Sequence, residues 1–328
     1  MTRHINKFLL VLIFICLSAN SFAMDKTAQT KMQFLKISPS ARAAALGDAF
    51  STVAGDPNSI FYNPAGMAFV TGINVTINNN DWIADIAHHS AVISYNNQRY
   101  GTFSFNAITM DYGEFQRTRI DDHAWLGYEV LGTFNVAEYS LGFGYANNIT
   151  DRFALGGQVK YVNQNLGQVE AWSNIGTEFE HSSSMDYKDN VVAYDLGTYY
   201  ETGYNGIIIA MSVQNFANSP IPLIFRYGMA VQLNQLLFPS VQNHSLRLNG
   251  DLSQTKDYGD GYQFGLEYAY NDRFFLRTGY KLNFSEENFT CGAGMNLSLK
   301  DFNFVLDYAY TKLNLLGYVN RVTIGVRY

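Results

Sequence analysis

The sequence of 328 residues is poor in cysteine, proline and charge. It has two cysteines and six prolines, and 15% of its residues are charged, against about 25% in ordinary soluble domains. One cysteine, Cys16, lies in the apolar N-terminal stretch, which leaves Cys291 without a partner for an internal disulfide. Acidic residues (28) outnumber basic ones (22), which argues against a nucleic-acid partner bound through its phosphates.

Long apolar runs are also missing. Beyond the N terminus no stretch reaches the roughly 18 consecutive apolar residues of a transmembrane helix. Aromatic residues, in contrast, make up 15% of the chain. Few charges combined with many aromatics and glycines are typical of a transmembrane β-barrel or of a secreted β-sandwich.

The first 23 residues predict a secretory signal peptide. Arg3 and Lys7 precede the apolar run 8–17, and small residues follow at 21–23. Cys16 raises the alternative of a lipoprotein, but Ile15 stands where a small residue is expected. We therefore expect cleavage without lipidation.

The body of the chain shows the period of two that marks β-strands. Residues 261–270 place aromatic and aliphatic side chains on one face and small or polar ones on the other, and residues 302–310 repeat this pattern. The same alternation predicts about fourteen strands between residues 71 and 328. The fold class expected is all-β, an antiparallel transmembrane barrel.

The lengths of the connections separate the barrel from the sandwich. Short Asn-, Asp- and Gly-containing turns follow several even-numbered strands, whereas longer loops, including 110–133 and 165–189, follow odd-numbered ones. Short turns at one end and long loops at the other are typical of a bacterial outer-membrane barrel, with outer-membrane lipid around it. The long loops hold aromatic side chains that either bind a partner protein or pack together over the barrel mouth: Phe115, Trp125, Tyr128 and Trp172.

The final strand alternates as well and ends on an aromatic residue. Val326 and Tyr328 lie on its apolar face. This ending is similar to the signal that the barrel-insertion machinery reads, although an ordinary edge strand would look alike.

Residues 24–70 lack the strand pattern. A barrel of about fourteen strands has a lumen that must be filled or lined. We therefore predict that residues 24–70 form a hatch inside the barrel of residues 71–328.

The hatch sequence and the segment after the first strand contain a set of short motifs: Phe34-Leu35, Ser40 to Ala44, Leu46-Gly47, Ala54 with Asp56, Asn63-Pro64-Ala65-Gly66 and Trp82-Ile83-Ala84-Asp85. This set resembles the N-terminal signature of the PorV/PorQ family of outer-membrane proteins, within the FadL-like superfamily of fourteen-stranded barrels. The resemblance implies a role in type IX protein secretion, in which the barrel binds the translocon, the C-terminal domains of cargo or attachment-complex proteins.

The residues of the motif also have a physical interpretation. Arg42 can pair with Asp48 or Asp56 inside the lumen, which makes the hatch a fixed plug; the alternative is a gate that opens for a ligand. Asn63 before Pro64 favours extended backbone, and Gly66 allows a positive φ, so together they can turn the chain into the first strand.

No pattern predicts catalysis, a cofactor or a metal site. Asp81, Asp85, His88 and His89 are the densest group of metal-ligand types, and at strand spacing three of them would share a face. We interpret the group as a polar rim. No nucleophile and base stand in a recognisable catalytic arrangement, so the protein is expected not to be an enzyme.

The sequence therefore favours an outer-membrane barrel that binds secretion partners through external loops. A FadL-like transporter of small hydrophobic molecules is the alternative, and a purely structural barrel is the third hypothesis. An apolar pocket against the hatch would favour the transporter.

Overall fold

The computed structural model describes residues 30–121, 123–173, 181–233, 243–257 and 259–328. The predicted signal peptide (1–23) and the first six residues of the predicted hatch lie outside these ranges. Within them, no helix is long and apolar enough to cross a membrane.

Fourteen antiparallel strands close into one barrel, so the predicted fold class and strand number are confirmed. Each strand pairs with its neighbours in sequence, and the last strand pairs with the first. The strands are β1 (Ile73–Asp81), β2 (Ala87–Asn97), β3 (Gly101–Ile120), β4 (Tyr128–Thr150), β5 (Phe153–Ser173), β6 (His181–Glu201), β7 (Ile207–Phe216), β8 (Ile224–Gln232), β9 (His244–Thr255), β10 (Gly261–Tyr270), β11 (Phe274–Leu282), β12 (Glu287–Leu299), β13 (Phe302–Leu313) and β14 (Gly317–Arg327).

The alternation in the sequence decides which face of each strand meets lipid. In β10, Phe264 and Tyr270 point outward and are exposed, whereas Gln263 and Glu267 point into the lumen and are buried. A closed barrel leaves no strand edge unpaired, so this apolar outer face can lie in a bilayer without unsatisfied backbone groups.

Two predicted long loops are strands instead. Most of 110–133 belongs to β3 and β4, and much of 165–189 belongs to β5 and β6. These strands have 20 to 23 residues, about twice the 9–11 that cross a bilayer. The prediction was wrong because backbone pairing within each hairpin continues past the point where lipid ceases to impose apolar alternation.

The segment before β1 runs through the lumen from one barrel end to the other. We call the end with the connections after odd-numbered strands the loop end, and the opposite one the turn end. Lys31 N–H donates to Pro220 O at the loop end, and Gly72 lies beside Tyr328 at the turn end. The segment contains α1 (Ala41–Ala45) and short 3₁₀ helices at Gln33–Lys36, Pro57–Phe61 and Pro64–Phe69. We call residues 30–70 the hatch.

The C-terminal residues close the barrel. Tyr328 and Ile73 exchange backbone hydrogen bonds of 2.9 and 3.0 Å, and Val326 pairs with Val75 of β1. The Tyr328 ring lies outside, 5.2 Å from the ring of Phe302. Recognition of this strand by the insertion machinery stays a prediction.

Candidate functional site: the hatch and the vestibule

Glycines on three neighbouring strands form a groove that receives α1. Gly265, Gly279 and Gly292 lie on β10, β11 and β12. A Cβ on Gly265 would lie 2.6 Å from the Leu46 carbonyl oxygen, and one on Gly292 would lie 2.6 Å from the Ala45 Cβ. A Cβ on Gly279 would overlap the hatch backbone just after α1. The missing side chains on the wall therefore set how deeply the helix sits.

Arg42 joins the hatch to the wall through what we call the ionic network. Its Nη1 donates to Asp56 Oδ2 at 3.0 Å, and its Nε and Nη2 donate to both carboxylate oxygens of Glu267 at 3.0 and 2.8 Å. Arg277 donates to Glu267 at 2.6 Å and to Asp307 at 2.5 Å. Of the two partners expected for Arg42, the structure selects Asp56. Removing one member of such a buried network costs about 3–5 kcal/mol, because it leaves a charge uncompensated.

Asp48 makes a second ionic contact nearer the loop end. Its Oδ2 accepts a 2.5 Å hydrogen bond from Lys281 Nζ, and its Oδ1 accepts one of 3.1 Å from the Tyr62 hydroxyl. Lys281 also pairs with Glu287. Burial raises the pKa of Asp48, but the Lys281 ammonium, together with a hydrogen bond from Ser38 and the charge of Arg226, outweighs it and lowers that pKa to about 2. At Asp56 burial is likewise outweighed by Arg42 together with Arg327 and the Asn58 N–H, so the pKa of Asp56 is also lowered.

These lowered pKa values predict an acid-sensitive hatch. A carboxylate with a depressed folded-state pKa stabilises the fold above its unfolded pKa of about 3.9, and this contribution is lost as the pH falls through the folded-state value. We expect the melting temperature of the purified protein to fall between pH 4 and 2 as Asp48 becomes protonated. Asp48→Asn should melt lower at pH 7 and lose less on acidification. Equal pH profiles for the two proteins would contradict the assignment.

Hydrogen bonds at two further points hold the middle of the hatch. Asp251 of β9 accepts from the N–H groups of Phe50 and Ser51 at 3.1 and 2.9 Å and from the Ser51 hydroxyl at 2.6 Å. Asn63 Nδ2 donates to the carbonyl oxygens of Ser51 and Thr198 at 2.8 and 3.0 Å. The hatch is thus bound to β6 and β9 as well as to β10 and β11.

The backbone of the motif differs from expectation at one position. Asn63 is extended before Pro64, with φ −148°, as expected. Gly66 lies in a 3₁₀ helix without a positive φ, so the predicted role in a left-handed turn was wrong. Glycine is needed there because a Cβ would lie 2.6 Å from the Val53 carbonyl oxygen. Positive φ angles occur instead at other hatch positions, among them Gly47 at 62° and Gly55 at 73°.

A cavity of about 480 Å³, which we call the vestibule, lies between the hatch and the loop end. Hatch residues form its floor, and the connections β1–β2, β9–β10 and β11–β12 contribute to its walls. Its volume falls in the range of about 300–1,000 Å³ of small-molecule sites. The apolar side chains around it are Phe34, Trp82, Ile86, Met110, Ile224 and Phe284.

The suspected metal ligands are not brought together. Residues 82–86 form a turn with a 3₁₀ helix at Ile83–Asp85, so the strand spacing does not continue from Asp81 to His89. His88 points into the lumen, where Asn80 Nδ2 lies 2.7 Å from its Nδ1, while His89 points outward. Among the described residues no group of three His, Cys, Asp or Glu side chains is placed to hold a metal.

The aromatic candidates lie on two hairpins that project from the loop end. Phe115 on β3 stacks against Phe134 on β4, with 5.6 Å between ring centroids. Trp125 lies in the turn after β3 and is 98% exposed, and Tyr128 begins β4. Trp172 belongs to β5. Only Trp125 lies in a loop as predicted, because strand pairing incorporates the other three.

Sequence reasoning missed the vestibule. Its lining comes from the hatch and from several distant connections, and no local pattern unites them. In the sequence, Trp82 to Asp85 stands out only as part of a motif, and no pattern distinguishes Phe284 or Arg226. An aromatic residue in a connection at the loop end was the one available signal.

Comparison with solved structures places this geometry in a known class. The toluene transporter TodX of Pseudomonas putida aligns with a TM-score of 0.55 at 12% identity, covering 88% of this chain and 96% of that one. The toluene transporter TbuX of Ralstonia pickettii gives 0.53 at 12% identity with the same coverage. A FadL homologue of Pseudomonas aeruginosa gives 0.52 at 10% identity, covering 93% and 99%. No protein-family model and no curated protein sequence matches the chain.

The protein is therefore an all-β barrel of the outer-membrane class, and its closed fourteen-strand wall and apolar outer face fit a bacterial outer membrane. More narrowly, its fold is that of the FadL-like barrels.

Proposed function

We propose that the barrel captures a small apolar molecule in the vestibule, as the first step of its movement across the outer membrane. The observation that supports this proposal is the vestibule itself: a cavity of 480 Å³ with aromatic and aliphatic walls, directly above a hatch. Burial of an apolar ligand against such walls yields about 25 cal/mol per Å² removed from water. The neighbours described as toluene transporters share this fold, which favours a ligand of the same general character.

The hatch closes the floor of the vestibule, so the structure supports capture of a ligand there and not its passage through the barrel. The ionic network and the Asp48–Lys281 contact fill the lumen below the vestibule with paired charges. An apolar molecule gains nothing by entering a charged region, so passage beyond the vestibule requires the hatch to shift. A gated hatch thus accounts for the charges better than an open channel does.

A charge placed in the vestibule tests the proposal. Ile86 lines the cavity from the β1–β2 connection, where its side chain is half-buried. We expect Ile86→Glu to weaken binding of the neutral dye N-phenyl-1-naphthylamine by about tenfold or more, because a carboxylate must be desolvated beside the ligand. Dye fluorescence titrated with purified protein in detergent gives the Kd.

Ile120→Glu is the matched control for that substitution. Ile120 ends β3 on the projecting hairpin and is exposed, so its replacement leaves the vestibule unchanged. Equal affinities of wild type and Ile86→Glu would contradict capture in the vestibule.

A second function, binding of protein-secretion partners, is favoured by the β3–β4 hairpin. Its tip exposes Ile120, Trp125 and Leu126 to solvent. Exposed apolar side chains on a projecting ribbon are typical of an interaction site. The hatch motif resembles that of the PorV/PorQ family, which agrees with such a role.

Crosslinking from the hairpin tip tests the second function. A photocrosslinking residue at position 126 in native outer membranes should capture the type IX translocon or proteins that share a C-terminal cargo domain. Trp125→Ser should weaken this binding about thirtyfold and reduce capture accordingly, since a hot-spot aromatic contributes about 2 kcal/mol or more. Capture unaffected by Trp125→Ser, or no capture, would count against the secretion role.

A further inference from the structure

Two charged side chains at the vestibule have no ionic partner among the described residues. Arg226 on β8 has a buried Nη1 without a hydrogen-bond partner. Its Nε lies 3.5 Å from Gln214 Oε1, and its guanidinium carbon lies 5.4 Å from the centroid of the Tyr62 ring. Glu286, in the β11–β12 connection, has a buried Oε2 that is likewise unpartnered. Within the described ranges neither side chain has an oppositely charged group within salt-bridge distance.

The other charged groups around the vestibule are satisfied. Lys36 pairs with Asp257 at 3.0 Å, and Lys281 pairs with both Asp48 and Glu287. The unpaired positions are therefore one guanidinium and one carboxylate. A half-buried charge without a partner is costly, and a ligand of opposite charge relieves that cost.

The two unpaired charges lie on different walls. Three strands, β9 to β11, separate Arg226 on β8 from the connection that carries Glu286. Apolar side chains, among them Ile224 and Phe284, line the same cavity. A ligand that satisfies the whole site must have an anionic end, an apolar middle and a cationic end.

We propose that the vestibule binds a short peptide with apolar side chains, its carboxylate at Arg226 and its ammonium group at Glu286. The inference rests on the proposed capture function and extends its ligands to molecules whose apolar body carries a charge at each end. A neutral hydrocarbon forms an ion pair with neither side chain. A simple anion leaves Glu286 bare and adds a negative charge near Asp48 and Glu287. In a free amino acid the ammonium and carboxylate groups are attached to the same carbon. They are too close together to contact residues that lie on different walls.

Trileucine and its capped forms separate these possibilities. The four probes share one apolar body: the free peptide, the N-acetyl peptide, the peptide amide and the doubly capped peptide. The chain has three tryptophans, so Trp125→Phe with Trp172→Phe leaves Trp82 in the vestibule wall as the single fluorescence reporter. Each cap should weaken binding about tenfold, the effect of losing a charge-assisted hydrogen bond.

Variants that remove one charge each show which side chain binds which end of the peptide. Arg226→Gln should abolish the preference for a free carboxylate while keeping the preference for a free amine, and Glu286→Gln should do the reverse. Arg99→Gln at the β2–β3 turn and Glu129→Gln on the hairpin are controls that lie outside the vestibule and should bind as wild type. Slower migration of heated samples in SDS gels confirms that each variant forms the barrel.

The outcomes distinguish this inference from the proposed function. Dye binding that responds to Ile86→Glu, together with equal affinities for all four peptides, would overturn the peptide assignment and leave capture of apolar molecules standing. Loss of discrimination in both variants supports the assignment. Failure of both dye and peptides to bind would overturn capture and the peptide assignment together.

Discussion

Arg42→Ala is expected to release the hatch while the barrel stays folded. Arg42 is the hatch's cation in the ionic network, with three hydrogen bonds to Asp56 and Glu267. Its removal leaves Glu267 with Arg277 alone and leaves Asp56 without its ion-pair partner. We expect a loss of about 3–5 kcal/mol from hatch docking. In planar bilayers the variant should show frequent open-channel events where the wild type stays closed.

A matched arginine controls for loss of charge. Arg99 lies in the β2–β3 turn, exposed, with its guanidinium 5.4 Å from the centroid of the Tyr100 ring. Arg99→Ala should conduct as little as the wild type. If Arg42→Ala showed no open-channel events, the other hatch contacts would be sufficient to keep the lumen closed. The hatch would then be a fixed plug that does not depend on the ionic network.

The barrel was predictable because lipid imposes a local rule. A strand with lipid on one side and a packed lumen on the other must alternate, and this period can be read in β10 or β13 without knowledge of the rest. Beyond the bilayer that rule ends. The outer halves of β3 to β6 are therefore strands that the sequence presents as loops.

The hatch contacts depend on distances that no local pattern contains. Arg42 and Glu267 are separated by 225 residues, and Asp48 and Lys281 by 233. The sequence identifies Arg42 as a residue that needs a partner, because a lone charge in a lumen is costly. Which carboxylate it meets depends on strand register and on the depth of α1, and both are properties of the closed barrel.

The vestibule was unpredictable for a related reason. Its floor is formed by the hatch, and its walls include connections that carry single aromatic residues, such as Trp82 and Phe284. Nothing in the neighbouring sequence explains why these residues are aromatic. A single aromatic in a connection is normally a surface residue or a cap of the core. Its role as part of a cavity wall becomes visible only in the closed barrel, which brings these connections together at the loop end.

A side chain introduced at Gly279 is expected to displace α1, because this glycine lies at the bottom of the groove that receives the helix. Its Cα faces the backbone that follows α1, and a side chain there would overlap Gly47 and Leu46. The two nearest atoms, Gly47 N and Leu46 C, belong to the hatch backbone, so they can move away only if the hatch itself shifts. Gly279→Val should therefore expel α1 from its groove, and the Arg42 contacts should be lost with it because Arg42 lies on the same helix.

Hydrogen exchange followed by mass spectrometry measures this displacement directly. In Gly279→Val, amides of residues 41–50 should exchange at least about a hundredfold faster, as expected when about 3 kcal/mol of docking energy is lost. Gly250→Val is the control: a Cβ there would meet only ordinary contacts at 3.8–4.0 Å. If the amides of residues 41–50 exchanged as slowly in Gly279→Val as in the control, the close packing of Gly279 against the hatch would not determine the position of α1. The ionic network and the hydrogen bonds of the hatch to the wall would then hold α1 at that depth, and Arg42→Ala would be the variant that separates their contributions.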